Sequence, residues 1–307
     1  MCATNLPVRC AFLRMKFNRL HNLLRICVLA IAMCASLSLA AAELDSTAVV
    51  RSTSNAVTIN LGSTRNLDTY LSPIRYQGAH IAIAYEHLRA TRFRPQTWVN
   101  QVKTTFGYDN IDNLVGNNTM HFLLVDIDWS MQHRWRNVGV ENLDIFLGPG
   151  LAFQGGINYN PRNSNNVCSP QVYLNVGATA MAAYRFKVGK LPVTARYQPS
   201  IPVVGCYYLP DYDQSFYEIY LGNYRDAVNF GWWANRFDMD NFICADLHLG
   251  ASALRIGYRN SFTTIWKNNI SVNRCVHSFV LGVSWETIRF NPRKGYNEKA
   301  RIISALY

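Results

Sequence analysis

The stretch from Gln171 to Val204, QVYLNVGATAMAAYRFKVGKLPVTARYQPSIPVV, decides the fold class of this chain. Apolar side chains recur at every second position of its first half: Val172, Leu174, Val176, Ala178, Ala180, Ala182, Tyr184 and Phe186. The positions between them are mostly small or polar: Tyr173, Asn175, Gly177, Thr179 and Arg185. A period of two is the signature of a β-strand with one apolar face. Because the second half alternates in the same way, we predict two strands joined by a turn at Gly189.

The length and the polar face of these two strands favour a membrane β-barrel. A tilted strand crosses a bilayer with about 9–11 residues, and both strands reach that length. A soluble β-sandwich also alternates, so alternation alone does not distinguish the two architectures. Arg185 and Arg196 lie among Gly, Thr and Ser on the polar face, as in the lumen of a small barrel, and aromatic residues lie near the strand ends.

The same alternation recurs along the rest of the chain. It gives nine clear strands and a weak N-terminal candidate, NAVTINLGST, at residues 55–64. We therefore predict an all-β fold, an antiparallel transmembrane β-barrel of about ten strands with a large external loop. Six apolar residues are predicted to face lipid: Ile83, Val102, Val125, Leu147, Val176 and Phe279.

Loop lengths give the predicted barrel an orientation. Short turns are expected near Arg94, Gly139, Gly189 and Gly250, and longer polar loops near Asn113, Asn165, Asn223 and Asn269. Outer-membrane barrels have short periplasmic turns and longer external loops. Both chain ends are then periplasmic. Trp98, Trp135 and Trp285 are expected near the periplasmic interface and Trp266 near the outer rim.

The N-terminal segment has the pattern of a secretory signal peptide. Arg9, Arg14, Lys16, Arg19 and Arg25 precede the apolar run ICVLAIAMCASLSLA, and Ala40 to Ala42 offers a cleavage site. A single membrane anchor is the alternative, but the run is short of the ~20 residues that a spanning helix needs. We predict a signal peptide at 1–42, a barrel at 43–290 and a basic periplasmic tail at 291–307. The true start is Met1 or Met15.

Removal of this leader changes the charge and the cysteine count. The formal net charge falls from +11 to +6, because the leader holds five basic residues and no acidic one. No nucleic-acid partner is therefore expected. Four cysteines remain, with no CxxC spacing, so we predict neither a metal site nor a cofactor. Cys168 and Cys206 are predicted to form a disulfide at the outer rim, with Cys275 as the competing partner.

Three segments resemble a known family. LDTYLSPIRYQG at 67–78, ARYQPSIPVVG at 195–205 and QSFYEIYLGN at 214–223 resemble segments of a Bacteroidetes family of exported proteins of unknown function. The resemblance extends roughly from Leu67 to Phe290. The resemblance implies an outer-membrane β-barrel fold and carries no assigned chemistry.

One group of residues could be catalytic. Two pairs of residues each place both side chains on the inward face of a strand. These pairs are Asp126 with Asp128, and Asp246 with His248. They resemble the omptin proteases, ten-stranded outer-membrane barrels in which an Asp pair and an Asp–His pair activate water. The alternative is that the acids neutralise the inward arginines across the lumen, since buried charges must be paired. These arginines are Arg134, Arg185, Arg196, Arg255 and Arg259.

The sequence leaves three functions open. They are a structural or binding component of the outer membrane, a narrow channel, and an omptin-like protease. We favour the first, because bulky charged residues would fill a lumen of about ten strands. The long loop from Tyr207 to Asp238 is rich in aromatics, and it either binds an extracellular ligand or caps the barrel. The candidate binding residues are Tyr217, Tyr220, Trp232 and Trp233. Outer-membrane lipid is the expected partner of a monomer located in the cell outer membrane.

Overall fold

The computed structural model describes residues 49–163, 166–212, 214–222, 227–288 and 301–306. The predicted signal peptide, and residues 291–300 and 307 of the predicted tail, lie outside these ranges. The described part holds twelve strands and one short helix. The strands are β1 (Val49–Asp68), β2 (Tyr76–Ala90), β3 (Trp98–Asn113), β4 (Thr119–Trp135), β5 (Leu143–Tyr159), β6 (Cys168–Val188), β7 (Leu191–Tyr208), β8 (Val228–Trp232), β9 (Arg236–His248), β10 (Ser252–Lys267), β11 (Ile270–Ile288) and β12 (Arg301–Ile303). The helix is α1 (Phe216–Tyr220), and no helix in the described ranges is long and apolar enough to span a membrane.

Ten of these strands form a closed antiparallel barrel. Neighbours along the chain pair from β1 to β7, β7 pairs with β9, and the order continues through β10 to β11. β1 closes the barrel by pairing with β11, from Ser52 opposite Ile288 to Asp68 opposite Val272. β8 pairs with the end of β7, and β12 runs parallel to the start of β1. The predicted fold class and the count of ten strands are confirmed, and the weak N-terminal candidate is part of β1.

The two ends of the barrel differ. We call the end that carries residue 49 and the C-terminal segment 301–306 the terminal end, and the opposite end the loop end. Connections at the terminal end span 91–97, 136–142, 189–190 and 249–251. Those at the loop end span 69–75, 114–118, 160–167, 209–235 and 268–269.

The predicted contrast in loop length is only partly correct. Gly189, with a φ of 62°, makes the predicted tight turn at the terminal end. The prediction of a longer loop near Asn269 is wrong, because only Asn268 and Asn269 connect β10 to β11. Both have positive φ, as in the two-residue turns that join twisted hairpin strands. Residues 209–235 form the large loop, which contains α1 and β8.

The packing is the inverse of that in a water-soluble protein. All six residues predicted to face lipid lie on the outer face of the barrel. Ile83, Leu147, Val176 and Phe279 are exposed, and Ile83 reaches 55%. Val102 and Val125 are half-buried on that same outer face. Most inner-face side chains in the middle of the barrel are instead polar or charged, because period-two strands send every second side chain into the lumen. A small apolar cluster of Phe242, Cys244 and Val280 lies among them.

Apolar clusters occur at both ends of the lumen. The loop-end cluster consists of Tyr70, Leu71, Tyr76, Ile111, Met120, Tyr173, Tyr207, Leu209, Ile265, Ile270 and Val272. The terminal-end cluster consists of Leu88, Val99, Phe146, Met181, Ala183, Ala305 and Leu306. Tyr70 comes from the 69–75 loop and donates to the Gln214 carbonyl at 2.6 Å. Burial raises the pKa of Tyr70 to about 12, so this hydroxyl remains a donor in neutral water.

Candidate functional site

The central feature of the lumen is a buried carboxylate, Glu86 on β2, shared by two arginines. Arg196 on β7 donates to both oxygens of Glu86, at 2.7 and 3.2 Å, and Arg255 on β10 also pairs with it. Arg255 is bound a second time by Asp246 on β9, at 2.6 and 2.8 Å. We call these four residues the Glu86 cluster. Its two formal positive charges balance its two negative charges, as groups removed from water require.

Three buried amides extend the Glu86 cluster across the barrel. Gln101 on β3 donates to Glu86 at 2.5 Å, and its carbonyl accepts from Gln198 at 2.8 Å and from Gln132 at 2.9 Å. The resulting network joins β2, β3, β4, β7, β9 and β10. A charge network supported on several sides holds its members in one arrangement.

A second charged group lies beside the first. Arg259 on β10 donates to Asp240 on β9 at 2.8 Å and to Thr105 at 3.2 Å, and Lys103 Nζ lies 4.0 Å from Asp240. Asp126 and Asp128 lie within electrostatic range of Arg259 and Asp240. We call Lys103, Asp126, Asp128, Asp240 and Arg259 the Arg259 cluster.

The two clusters leave little open space between them. A cavity of about 30 Å³ is lined by Glu86, Lys103, Arg255 and Arg259, and another of about 20 Å³ by Lys103 and Asp128. A buried water needs roughly 10–15 Å³ of such volume, so each cavity has room for one or two waters. The buried side chains of the two clusters therefore occupy much of the middle of the described lumen.

The structure separates the two pairs that resembled a protease site. Asp126 and Asp128 belong to the Arg259 cluster, whereas Asp246 is bound by Arg255 in the Glu86 cluster. His248 Nε2 lies 2.9 Å from Thr194 Oγ1, beside a depression of about 800 Å³ at the terminal end. Asp246 accepts from the Arg255 guanidinium with both carboxylate oxygens, at 2.6 and 2.8 Å. The Asp126–Asp128 pair and Asp246 therefore belong to different charge clusters, and a catalytic role for the four residues stays a prediction.

The lumen is described better by the alternative, in which inward acids neutralise inward arginines. Most of the acids that pair with these arginines differ from the predicted ones. Asp246 pairs with Arg255, but Arg196 uses Glu86 and Arg259 uses Asp240. Neither Glu86 nor Asp240 was predicted from the sequence to be a site residue. The signal that could have found Glu86 is an isolated carboxylate among the small inward residues of β2.

The C-terminal segment is inserted into the terminal end of the lumen. Arg134 on β4 is held by Asp144 at 2.5 and 3.0 Å and donates to the carbonyls of Ser304, Ala305 and Leu306 at 3.1–3.2 Å. Arg185 on β6 donates to Asp144 at 2.9 Å and to the Leu306 carbonyl at 2.6 Å. Leu306 is fully buried. The predicted basic tail therefore ends in an apolar segment that closes this end of the barrel.

The four aromatics proposed as a binding surface do not cap the barrel. Tyr217 and Tyr220 on α1 are 67% and 80% exposed. Trp232 and Trp233 are also more than half exposed, and Trp233 Nε1 donates to the Pro202 carbonyl at 2.8 Å. The residues of the loop-end cluster close that end instead. The four aromatics are therefore accessible on the surface.

The predicted disulfide is not formed. Cys206 on β7 lies opposite Leu174, whereas Cys168 lies six residues further along β6 and is a free thiol. Six strand residues span about 20 Å, and a disulfide requires Cα atoms within roughly 7 Å. Cys168 and Cys206 were both predicted to lie at strand ends, but β7 extends past Cys206 to Tyr208. In the part of the chain that the structure describes, no group of three or more His, Cys, Asp or Glu residues could hold a metal ion.

Comparison with family models matches residues 24–294 to a family described as a protein of unknown function, DUF3316. This chain belongs to that family. The match covers most of the chain and confirms the resemblance to a family without assigned chemistry. The Bacteroidetes origin that the resemblance implied stays a prediction. Comparison with curated protein sequences gives no match.

The solved structures that resemble the chain include three bacterial proteins of low sequence identity. The outer membrane protease OmpT from Escherichia coli is 6% identical, with a TM-score of 0.43 over 80% of this chain and 100% of that chain. The transport unit of the autotransporter AIDA-I from Escherichia coli is 11% identical, with a TM-score of 0.37 over 84% and 97%. The translocator domain of the autotransporter NalP from Neisseria meningitidis is 11% identical, with a TM-score of 0.30 over 87% and 98%.

Proposed function

We propose that the protein is an outer-membrane β-barrel with a filled lumen and a structural or binding role. The observation that carries this proposal is the inverted packing of the barrel. Its outer face is apolar around the circumference, and its buried middle holds the Glu86 and Arg259 clusters. Exposed apolar surface of this extent is unfavourable in water and favourable in a bilayer.

Aromatic residues at the two ends support a membrane-spanning orientation. At the terminal end Trp98 packs on His133 with ring centroids 5.1 Å apart, and His133 packs on Trp135 at 4.4 Å. At the loop end Trp266 is 68% exposed. Amphipathic aromatics favour the boundary between lipid and water. We place the terminal end in the periplasm and the loop end outside, with the barrel as a monomer in contact with outer-membrane lipid.

The filled lumen favours a closed barrel over a narrow channel. The Glu86 cluster and the buried C-terminal segment obstruct the lumen at two levels. Purified protein in a planar bilayer should therefore give no conductance steps at moderate voltage. Regular steps that depend on protein concentration would show a channel and overturn this part of the proposal.

The exposed aromatics of the loop end support a binding role. Tyr217 and Tyr220 share α1 and offer large side chains with few rotamers to fix on binding. We propose that they contact an extracellular ligand. Tyr217→Ala combined with Tyr220→Ala should abolish capture of that ligand by whole cells and leave the barrel folded. A matched pair at the terminal end, Val138→Ala with Val140→Ala, should leave capture intact.

Cell fractionation tests the location. The protein should sediment with outer-membrane markers and remain in the membrane after carbonate and urea washes. Recovery in the soluble periplasmic fraction would contradict the proposal.

A further inference from the structure

The outer surface carries a basic depression at the loop end that the barrel architecture does not require. It has a volume of about 210 Å³ and lies where the 69–75 loop meets β1, β10 and β11. Its lining includes Arg65, Arg75, Arg274 and Cys275. The volume is large enough for several water molecules or one phosphate group.

Two of the three arginines in this depression carry uncompensated charge. Arg274 turns inward and is held by Asp109 at 2.8 and 3.1 Å. Arg65 and Arg75 are exposed, and within the described ranges neither side chain has an ion-pair or hydrogen-bond partner. Among the described residues, no carboxylate lines the depression.

The strand register places Asp112, an acid on this face, two strands away from Arg65. Arg65 is opposite Gln77 on β2, and Gln77 is opposite Asp112 on β3. Two strand spacings correspond to about 10 Å, and Asp112 already accepts from Thr119 at 2.6 Å. The depression is therefore complementary to an anion.

From the depression towards the middle of the barrel, the outer surface changes from polar to apolar along the strands. His277 lies 2.5 Å from the Tyr258 hydroxyl and 3.4 Å from Cys275 Sγ, both on the outer face. Beyond it, Leu61 of β1 is opposite Phe279 of β11, and both are about half exposed. Arg65 and Leu61 are four strand residues apart, roughly 13 Å. An amphiphile with an anionic head can therefore span from the arginines to the apolar belt.

We propose that Arg65 and Arg75 bind the phosphate headgroup of a membrane lipid, whose acyl chains lie over Leu61 and Phe279. Guanidinium groups bind phosphate through paired, charge-assisted hydrogen bonds. The continuity of the depression with the apolar belt favours a lipid over a free phosphate ion. This inference rests on the proposed membrane-spanning function.

Native mass spectrometry of the full chain in non-ionic detergent tests the site. The probes are dioleoyl phosphatidic acid, dioleoylglycerol, which lacks the phosphate, and inorganic phosphate. The test variant is Arg65→Gln with Arg75→Gln. The control, Lys187→Gln with Lys190→Gln, removes the same charge from exposed positions at the terminal end.

The native chain and the control variant should retain phosphatidic acid about tenfold more strongly than the test variant does. All three proteins should retain diacylglycerol only weakly. Equal retention by test and control variants would overturn the proposal. Displacement of the lipid by inorganic phosphate at comparable concentration would also overturn it, because the site would then bind a free anion. Heat-modifiable gel mobility of each variant confirms a folded barrel independently of lipid binding. If the double variant does not fold, Arg75→Gln alone, in the 69–75 loop, should still weaken retention several-fold.

Discussion

Glu86 is the single side chain on which the polar lumen depends most, because it is the only described carboxylate that pairs with both Arg196 and Arg255. Glu86→Gln would leave the two guanidiniums buried with one negative charge fewer. Removing one partner from a buried pair costs about 3–5 kcal/mol. We expect a loss of that order in the free energy of unfolding, measured by urea titration in lipid vesicles.

Glu141→Gln is the matched control for this prediction. Glu141 is exposed in the connection between β4 and β5, and its replacement should change the unfolding free energy by no more than about 0.5 kcal/mol. Equal effects of the two substitutions would show that the Glu86 cluster does not stabilise the barrel.

Ile83 tests the outer face at the same scale. It lies on β2 opposite Ile59 and Phe106, in the middle of the apolar belt. An arginine at the midplane of a barrel's lipid face costs about 2–4 kcal/mol. Ile83→Arg should therefore slow insertion into vesicles and lower stability, whereas Ala84→Ser on the inner face should have little effect. Insertion assays in which both variants behave like the native chain would argue against lipid contact.

At the residue scale the sequence predicted which face each side chain takes, but not which charges meet. Alternation alone placed Asp126, Asp128 and Asp246 in the lumen. Their partners depend on the stagger between strands and on closure of β1 against β11, which bring Asp246 to Arg255 and leave Arg196 to Glu86. A period-two pattern carries no information about that stagger.

At the scale of elements, the C-terminal segment has the clearest consequence. Leu306 is fully buried in the terminal-end cluster, whereas Ile302 on β12 is 58% exposed. Truncating a buried leucine costs about 2–5 kcal/mol. Leu306→Ala should therefore lower the thermal midpoint of the barrel, and Ile302→Ala should not. Equal shifts would mean that the segment is not inserted in solution.

The barrel strands were predicted from the sequence more completely than the C-terminal segment 301–306. β6 and β7 are long and strongly alternating, so their type followed from the pattern and their turn from Gly189. The tail was interpreted from its basic residues, and its short apolar end was overlooked. Its position depends on hydrogen bonds from Arg134 and Arg185, which lie more than a hundred residues away.

At the scale of the whole molecule, the chain forms a closed barrel with an apolar exterior. The pairing of β1 with β11 leaves the ten-stranded barrel without a free edge. Such a barrel meets the requirement that every backbone polar group inside a bilayer be hydrogen-bonded within the protein. We therefore expect the folded state to stay compact in detergent.

Gel mobility before and after boiling tests this central claim most directly. The full chain is extracted from membranes in mild detergent, and matched samples are run in sodium dodecyl sulfate with and without heating. The folded barrel should remain compact in the unheated sample and migrate differently from the boiled sample, with Glu86→Gln losing the folded band at a lower temperature. Identical mobility of heated and unheated native protein, at every detergent tested, would contradict the account.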